Sequence, residues 1–233
     1  MSTRIQCFSF ITLSIPQLSI QCKQYNNIAR TTMLFRAVLV AMDCWATDGR
    51  APPESRVPSA KDRTLIEFEE WRNQFPKIPG VILPSSPNRL APYDFGPNAS
   101  VGLLTLQPPD RGHGEYKILV PAVDQDGNEL AGVRLPEVSA PVATITGWGL
   151  RREGFSENEG LEADGQYIPF PRTKAERLNS GDPRLSLEER YGDHQGYVSA
   201  VVREVRKLEQ QRFLLPVDVT KYIDEAKMSD ILS

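Results

Sequence analysis

The chain has 233 residues, of which 40% are hydrophobic and 24% are charged, and its mean hydropathy is -0.37. These values are typical of a globular protein, and they exclude a fully disordered chain or one built from membrane spans. The 27 basic and 30 acidic side chains give a net charge of -3, so no overall positive field attracts nucleic acid or an anionic membrane surface. The composition therefore excludes a bulk nucleic-acid function.

The N-terminal residues and the cysteines carry little information about function. Cys7, Cys22 and Cys44 form no CxxC pair and leave one cysteine over, which favours free thiols over a zinc ribbon or a disulfide framework. The apolar run at residues 5–20 follows Arg4 and faintly resembles a signal peptide, but polar residues and Pro16 interrupt it. We interpret this run as a non-native or frayed start, too short and too polar to span a bilayer.

Residues 30–46 carry apolar side chains at spacings of three and four, a pattern that predicts a helix with one buried face. The residues of this face are Met33, Leu34, Ala37, Val38, Ala41, Met42 and Trp45. Thr31 or Thr32 is the expected N-cap. Gly49 and the pair Pro52-Pro53 are expected to end the helix.

The segment from residue 51 to residue 109 contains eleven prolines, a density that breaks helices and central strands. We therefore predict a mostly extended loop. The aromatic residues within it are Phe68, Trp71, Phe75, Tyr93 and Phe95. Because such rings need a surface to cover them, we expect the segment to wrap around a core that lies outside this chain.

Three strands are predicted after the proline-rich segment, at residues 116–123, 130–135 and 142–145. Asp126-Gly127 lies between the first two and is a turn signal typical of a β-hairpin. The sequence therefore predicts a short hairpin followed by a third strand.

The same turn also has some features of a calcium loop, because Asp124, Asp126 and Asn128 alternate. An EF-hand loop needs Gly at its sixth position and Glu at its twelfth, where this chain has Glu129 and Leu135. We favour the plain turn.

The sequence near the C-terminus predicts helices that begin at recognisable N-cap residues. Ser186 and Glu189 have the spacing of a capping box for a short helix, and Asp193 is the expected cap of a longer helix from His194 to about Arg212. The inner stripe of the longer helix consists of Val198, Val201, Val202, Val205 and Leu208. Pro216 separates it from a last helix, and we expect the two to pack as an antiparallel pair.

Candidate catalytic residues are few. The nearest match to the GxSxG nucleophile motif is Gly154-Phe155-Ser156-Glu157-Asn158, which lacks the second glycine and follows no apolar strand. The two histidines, His113 and His194, are too few for a His-rich metal site. His194 is best explained as a first-turn residue and His113 as an exposed loop residue, and a role as general base is the alternative for either.

Other ligand motifs are equally sparse. Gly147 and Gly149 begin a GxG without a third glycine, and no GxxxxGK[ST] motif occurs. The adjacent carboxylates Glu69-Glu70 and Glu188-Glu189 are expected to point apart on helices and to be solvated. Asn98-Ala99-Ser100 is an N-glycosylation pattern that matters only in a secreted eukaryotic protein. We predict no cofactor site and no metal site, and the catalytic residues stay unknown.

Seven segments of the sequence, taken together and in chain order, carry a resemblance to a known family. They are residues 34–56, including Asp43-Cys44-Trp45, residues 120–138, residues 146–151, Tyr167-Ile168-Pro169-Phe170, Gly181-Asp182-Pro183-Arg184, residues 186–191 and Arg212-Phe213-Leu214-Leu215-Pro216. Together they resemble the C-terminal third of the large α/β-hydrolase-domain proteins of bacteria and their relatives. The resemblance covers roughly residues 22–228, with Gly149 where the family usually has Asn.

This resemblance implies a partial α/β-hydrolase fold, in the α/β class, with a proline-rich extended wrap, a short β-hairpin and a C-terminal helix pair. It divides the chain into an unmatched segment, residues 1–21, and the C-terminal part of the domain, residues 22–233. The family's nucleophile elbow lies well upstream, and its histidine is expected shortly before the helix near Arg30. Because His113 is the first histidine here, no catalytic residue is transferred.

Three functional hypotheses follow. The first is a fragment of an α/β-hydrolase-domain protein that is inactive alone, whose full-length parent hydrolyses a small-molecule ester or amide; full-length relatives are often exported. The second is a non-catalytic accessory module that binds through the region 116–145. The third is an independent hydrolase that uses His113 with Ser100 or Ser156.

Overall fold

The computed structural model describes residues 21–161 and 165–233, so the apolar run at 5–20 lies outside the described residues. The α-helices of the described part are α1 (Thr31–Asp48), α2 (Phe68–Gln74), α3 (Pro136–Ser139), α4 (Lys174–Ser180), α5 (Leu187–Tyr191), α6 (His194–Gln210) and α7 (Pro216–Met228). The strands are β1 (Tyr25–Asn26), β2 (Leu65–Glu67), β3 (Tyr93–Asp94), β4 (Asp110–Arg111), β5 (Leu119–Pro121), β6 (Ala143–Ile145), β7 (Gly149–Leu150), β8 (Gly160–Leu161) and β9 (Gln166–Pro169).

The largest sheet of the described residues has three strands in the order β1-β9-β6. In its register Tyr25 pairs with Tyr167, and Thr144 pairs with Ile168. Three further pairs, β2-β5, β3-β4 and β7-β8, form separate two-stranded sheets, and every pairing between these named strands is antiparallel. The secondary structure is thus mixed α and β, with small sheets and longer helices.

The side chain of Asn128 occupies the outer edge of β6. Its Oδ1 accepts a hydrogen bond of 2.7 Å from the main-chain nitrogen of Ile145, and its Nδ2 donates one of 3.3 Å to the carbonyl of Ala143. Asn128 is fully buried, so its amide needs these partners. The amide side chain therefore satisfies main-chain groups that another strand would otherwise satisfy.

The C-terminal helices form the larger hydrophobic core. The buried residues contributed by α6 include Val198, Val201, Val205 and Leu208, as the sequence pattern predicts. Pro216 begins α7, and the ring nitrogens of His194 at the start of α6 lie near carbonyl oxygens at the end of α7. The antiparallel helix pair is therefore confirmed.

The cap predictions for the C-terminal helices are also confirmed. Asp193 Oδ1 accepts a hydrogen bond of 2.7 Å from the nitrogen of Gly196, and Ser186 and Glu189 form both bonds of a capping box. A second capping box, formed by Thr173 and Glu176, starts α4, which the sequence analysis missed.

Helix α1 extends two residues beyond the predicted end and is capped differently at its start. Gly49 ends it in the left-handed conformation, at φ 69°, as expected of a C-cap glycine. Arg30 lies at the N-cap position and makes no side-chain capping bond, so the prediction of a threonine cap was wrong.

The proline-rich segment finds much of its covering surface within this chain, which contradicts the prediction that its core lies elsewhere. Trp71 and Phe75 are buried, and Trp148 packs edge-on against both rings at centroid distances of 5.9 Å. Phe68 stacks on Trp71 at 5.5 Å. The segment also contains α2 and β2, because the residues between Pro58 and Pro76 are free of proline. The two-residue strand β3 lies further along the same segment.

The predicted hairpin is only partly formed. The first strand is restricted to β5, and an isolated bridge joins Val123 to Glu129 around the Asp126-Gly127 turn. Residues 130–135 form no strand, so that prediction was wrong. The third predicted strand is confirmed as β6, one residue shorter at its start.

A buried ion pair joins the three-stranded sheet to the turn between α4 and α5. Arg184 is 2% exposed, and its Nη2 donates to Asp182 Oδ2 at 2.6 Å. Its Nη1 donates to Thr144 Oγ1 at 2.8 Å and to the carbonyl of Ile168 at 3.0 Å. Burial alone would raise the pKa of Asp182, but the hydrogen bonds from Arg184 hold that pKa below its usual value.

Glu189 forms a second polar junction in the same region. Its Oε2 accepts hydrogen bonds from the nitrogen of Ser186 at 3.1 Å and from Nε of Arg177 at 2.7 Å. The bond from Ser186, followed by those from the side chains of Arg177 and Ser186, lowers the pKa of Glu189 to about 2. Glu189 is therefore not the freely solvated carboxylate that the sequence analysis expected.

Replacing Arg184 tests the buried pair. We expect Arg184→Ala to lower the free energy of unfolding by about 3–5 kcal/mol, because Asp182 would remain buried without its counterion. Arg203→Ala is the control, since the Arg203 side chain is 69% exposed and its loss should change stability by no more than about 0.5 kcal/mol. Urea denaturation of both variants measures the difference, and equal effects would contradict the assigned role.

Acidification tests the junction at Glu189. Its pKa of about 2 in the folded chain lies below the usual 4.5, so Glu189 stabilises the fold above about pH 4.5 and loses this effect as the pH falls towards 2. We expect Glu189→Gln to destabilise the chain at pH 6 and to reduce the fall in stability between pH 4.5 and pH 2. Urea midpoints across this range measure the slope, and an unchanged slope would contradict the prediction; exposed Glu157→Gln is the control.

Candidate functional site

Neither histidine makes a hydrogen bond to a candidate serine within the described residues. Nδ1 of His194 lies 2.8 Å from the carbonyl oxygen of Ile231, and Nε2 lies 3.2 Å from that of Lys227. Both ring nitrogens thus face main-chain oxygens at the end of α7 rather than a nucleophile. His113 is exposed in the loop after β4.

The candidate serines do not have the local structure of a nucleophile elbow. Ser156 lies in the turn between β7 and β8 at φ 60°, whereas an elbow requires a strand followed by a helix. Ser100 lies in a short 3₁₀ helix, Ala99–Val101, and is exposed. These local structures favour surface positions for both hydroxyls.

The Asp124 turn is held by protein donors. Asp124 Oδ1 accepts hydrogen bonds from the nitrogens of Asp126 at 2.9 Å and Asn128 at 3.0 Å, and Oδ2 accepts one of 2.6 Å from Arg134. Asp126 forms an ion pair with Arg190. The plain turn is therefore confirmed, with its carboxylates engaged by arginines.

Within residues 21–161 and 165–233, no group of three or more His, Cys, Asp or Glu side chains has the geometry to hold a metal ion. Cys22 and Cys44 are free thiols. None of the helices in these ranges combines the length and the apolar character needed to cross a bilayer.

A cavity of about 150 Å³ lies between the three-stranded sheet and the C-terminal helices. Its apolar wall includes Val142 directly before β6, Ile145 on β6, and Val201 on α6. Its polar lining consists of Arg30, Glu137, Tyr167, Tyr197, Tyr222, Glu225 and Ser229. The cavity thus combines an aliphatic wall with a cluster of charged and phenolic groups, and it is the best candidate for a functional site.

One guanidinium organises this cluster. Nε of Arg30 donates to Glu137 Oε1 at 2.9 Å, and Nη1 of Arg30 donates to Glu225 Oε2. The guanidinium carbon lies 4.2 Å from the ring centroid of Tyr222, a cation–π geometry. The hydroxyl of Tyr222 lies 3.1 Å from both oxygens of Glu137 and donates to this carboxylate.

The electrostatics keep Arg30 and the phenols of Tyr197 and Tyr222 in fixed protonation states at neutral pH. Burial alone would lower the pKa of Arg30, but the charge of Glu137 and the hydrogen bonds that Arg30 donates to both carboxylates raise it above its usual value. Burial, and then the negative charge of Glu137, raises the pKa of Tyr222 well above its usual value and that of Tyr197 to about 12. The cluster therefore holds a cationic arginine and neutral phenols.

Sequence analysis missed this cluster because its members come from distant positions. Arg30 and Glu225 are 195 positions apart, and Glu137 lies in the four-residue helix α3. One local signal was available: Glu225 lies between Tyr222 and Ala226 on the buried side of α7, where a carboxylate needs a partner.

Comparison with known proteins places this architecture in a family. The family described as alpha/beta hydrolase domain matches residues 10–224. The chain belongs to this family. The match confirms the resemblance to the α/β-hydrolase family, and it agrees with the mixed helices and small sheets observed. That the chain corresponds to the C-terminal third of such proteins stays a prediction.

No match was found among curated proteins or among solved structures. The family assignment therefore rests on the sequence match, and it supports a hydrolase-type family in general terms. The division of the chain at residue 22 and the identity of the catalytic residues stay predictions.

A double-mutant cycle tests the arginine cluster. We expect Arg30→Met and Glu137→Gln to show a coupling energy of about 1–3 kcal/mol in the free energy of unfolding, because each removes the partner of a poorly solvated charge. The exposed pair of Arg206 and Glu209, at 2.8 Å, is the control and should give about 0.5 kcal/mol or less. Additive effects in the first cycle would contradict a cooperative cluster.

Proposed function

We propose that this chain is a non-catalytic covering part of an α/β-hydrolase-type protein, whose nucleophile-bearing sheet belongs to another segment or chain. The parent activity is proposed to be hydrolysis of a small-molecule ester or amide. The proposal depends most on one observation, the solvent-exposed apolar side of α1.

The inner side of α1 is buried through Met33, Ala37 and Ala41. Its other sides carry large apolar residues in contact with solvent. We call this surface the outer face of α1, and it consists of Phe35, Val38, Leu39, Val40, Met42 and Trp45. The sequence analysis wrongly placed Val38, Met42 and Trp45 on the buried side.

The three most exposed side chains of this face are Phe35 at 63%, Leu39 at 64% and Trp45 at 57%. Burying a side chain of this kind stabilises a protein by roughly 1.5–3 kcal/mol, so an 18-residue helix that exposes six gains from a covering partner. Contiguous apolar surfaces on soluble proteins mark interaction sites. In this family the partner of fitting chemistry is the apolar surface of the hydrolase sheet region.

The positions of the candidate catalytic groups support the same proposal. His194 faces carbonyl oxygens of the α7 terminus, and Ser156 lies in a hairpin turn. Neither position favours an independent hydrolase built on these residues.

The alternative of an accessory module that binds through residues 116–145 has less support. β5 pairs with β2, whereas β6 pairs with β9, so this region does not present one continuous sheet surface. A binding role through the outer face of α1 remains compatible with the proposal.

Two readouts test this function. We expect the purified chain to show no turnover of p-nitrophenyl acetate and no labelling by a fluorophosphonate probe, since neither Ser100 nor Ser156 lies on a nucleophile elbow. We also expect it to copurify with a nucleophile-bearing α/β-hydrolase domain from a longer family member, and the pair Leu39→Asp and Trp45→Asp to abolish that association.

The control pair is Lys61→Asp and Arg63→Asp on an exposed turn, which should leave the association intact. Labelling of Ser100 or Ser156 that is lost in His113→Ala would overturn the proposal in favour of an independent hydrolase. Association that survives both aspartates on the outer face would remove the role assigned to α1.

A further inference from the structure

Glu225 lines the cavity between the sheet and the C-terminal helices, and one of its two carboxylate oxygens makes no hydrogen bond. The residue is 7% exposed, and its Oε2 is engaged by Arg30. Its Oε1 is buried and accepts no hydrogen bond, and Lys221 Nζ, on a half-exposed side chain, lies 4.0 Å away. Leaving a buried acceptor unsatisfied costs about 1–3 kcal/mol, so a donor from outside the chain is favoured there.

The charges around this oxygen favour a cationic donor. The cavity lining has two carboxylates, Glu137 and Glu225, against the single guanidinium of Arg30. Arg30 already donates to both carboxylates, which leaves an excess of negative charge in a poorly solvated space. The half-exposed amine of Lys221 is screened by solvent and offsets this excess only weakly.

Two phenols extend the polar side of the cavity. The hydroxyls of Tyr167 and Tyr197 make no hydrogen bond within the described part of the chain, and both residues line the cavity. Burial raises the pKa of Tyr167 and, with Glu137, that of Tyr197, so both hydroxyls are neutral at pH 7. A phenol oxygen can accept from an N–H group, which adds two acceptor positions besides Glu225 Oε1.

The size and the aliphatic wall restrict the rest of the ligand. A cavity of about 150 Å³ is known to hold a molecule the size of benzene, with roughly six heavy atoms. The wall formed by Val142, Ile145, Val201 and Ala226 offers contacts to a short hydrocarbon chain and no hydrogen-bonding side chain.

We propose that this cavity binds a small primary ammonium ion with a short aliphatic chain, whose N–H groups donate to Glu225 Oε1 and to the phenols. The chain of the ligand packs against the aliphatic wall. The proposal concerns binding and goes beyond the hydrolase-related function, so it stands or falls independently of any partner or turnover.

A carboxylate ligand is the competing occupant, because Arg30 also lines the cavity. Its Nε and Nη1 are already engaged by Glu137 and Glu225, and a further anion would add to the excess of negative charge. A neutral alcohol has the right size but donates only one hydrogen bond and carries no charge. Comparing ligands of the same length therefore separates these occupants.

An NMR titration of the whole chain with selectively labelled tyrosines provides the test. We expect n-butylammonium chloride to shift the Tyr167 and Tyr197 ring signals saturably and to give NOEs from its methylene protons to both rings. Sodium n-butyrate and n-butanol should bind at least about tenfold more weakly, the loss expected for a charge-assisted hydrogen bond. Butyrate or butanol binding as tightly as butylammonium would overturn the proposal, as would NOEs to other tyrosines alone.

The matched variants are Glu225→Gln and Asp224→Asn on the same helix, of which only the first removes a charge from the cavity. We expect Glu225→Gln to weaken butylammonium binding roughly ten- to a hundredfold and exposed Asp224→Asn to leave it unchanged. Equal affinities in the two variants would contradict the assignment. If Glu225→Gln does not fold, the wild-type ligand series and its NOEs decide the question alone.

Discussion

The side chain of Arg184 is buried where the three-stranded sheet meets the C-terminal helices, and Asp182 neutralises its charge there. The same guanidinium bonds Thr144 on β6 and main-chain oxygens on β9, and lies 5.0 Å from the ring centroid of Phe170. A buried charge of this kind is tolerated only when its partners are held in place. The register of the sheet, the α4–α5 turn and the start of the helical core therefore depend on one another through this residue. The guanidinium carbon of Arg190 lies 4.3 Å from the centroid of the same Phe170 ring, and Arg190 pairs with Asp126, which extends the junction to the turn at residues 124–128.

The parts of this fold that could be predicted from the sequence are those with local physical signals. The caps Asp193 and Gly49 and the regular stripe of α6 depend on neighbours within one or two turns, so the chain itself reveals them. The strands have two to four residues and owe their existence to distant partners, which explains why β9 was missed and why residues 130–135 were wrongly predicted as a strand. The cavity was missed for the same reason, since Arg30 and Glu225 meet only in the folded chain.

The apolar residues of the N-terminal half divide into two groups with different physical roles. Trp71 and Phe75 cluster with Trp148 and supply a core of their own, which shows that a high proline content does not prevent internal packing. The outer face of α1 has no such partner within the described residues and keeps its large side chains in water. The chain belongs to the α/β-hydrolase family. In that setting, the aromatic cluster is packed within the chain itself, whereas the exposed outer face of α1 supports the proposed contact with a separate hydrolase sheet.

The amide of Asn128 has a consequence for how the three-stranded sheet can grow. Because its two hydrogen bonds occupy the outward carbonyl of Ala143 and the outward N–H of Ile145, β6 offers only a partly open ladder to an incoming strand. Many proteins recruit peptides, or aggregate, by strand addition at such a border. Here that route would require Asn128 to be expelled from a fully buried position, so intermolecular β-augmentation at this border is disfavoured.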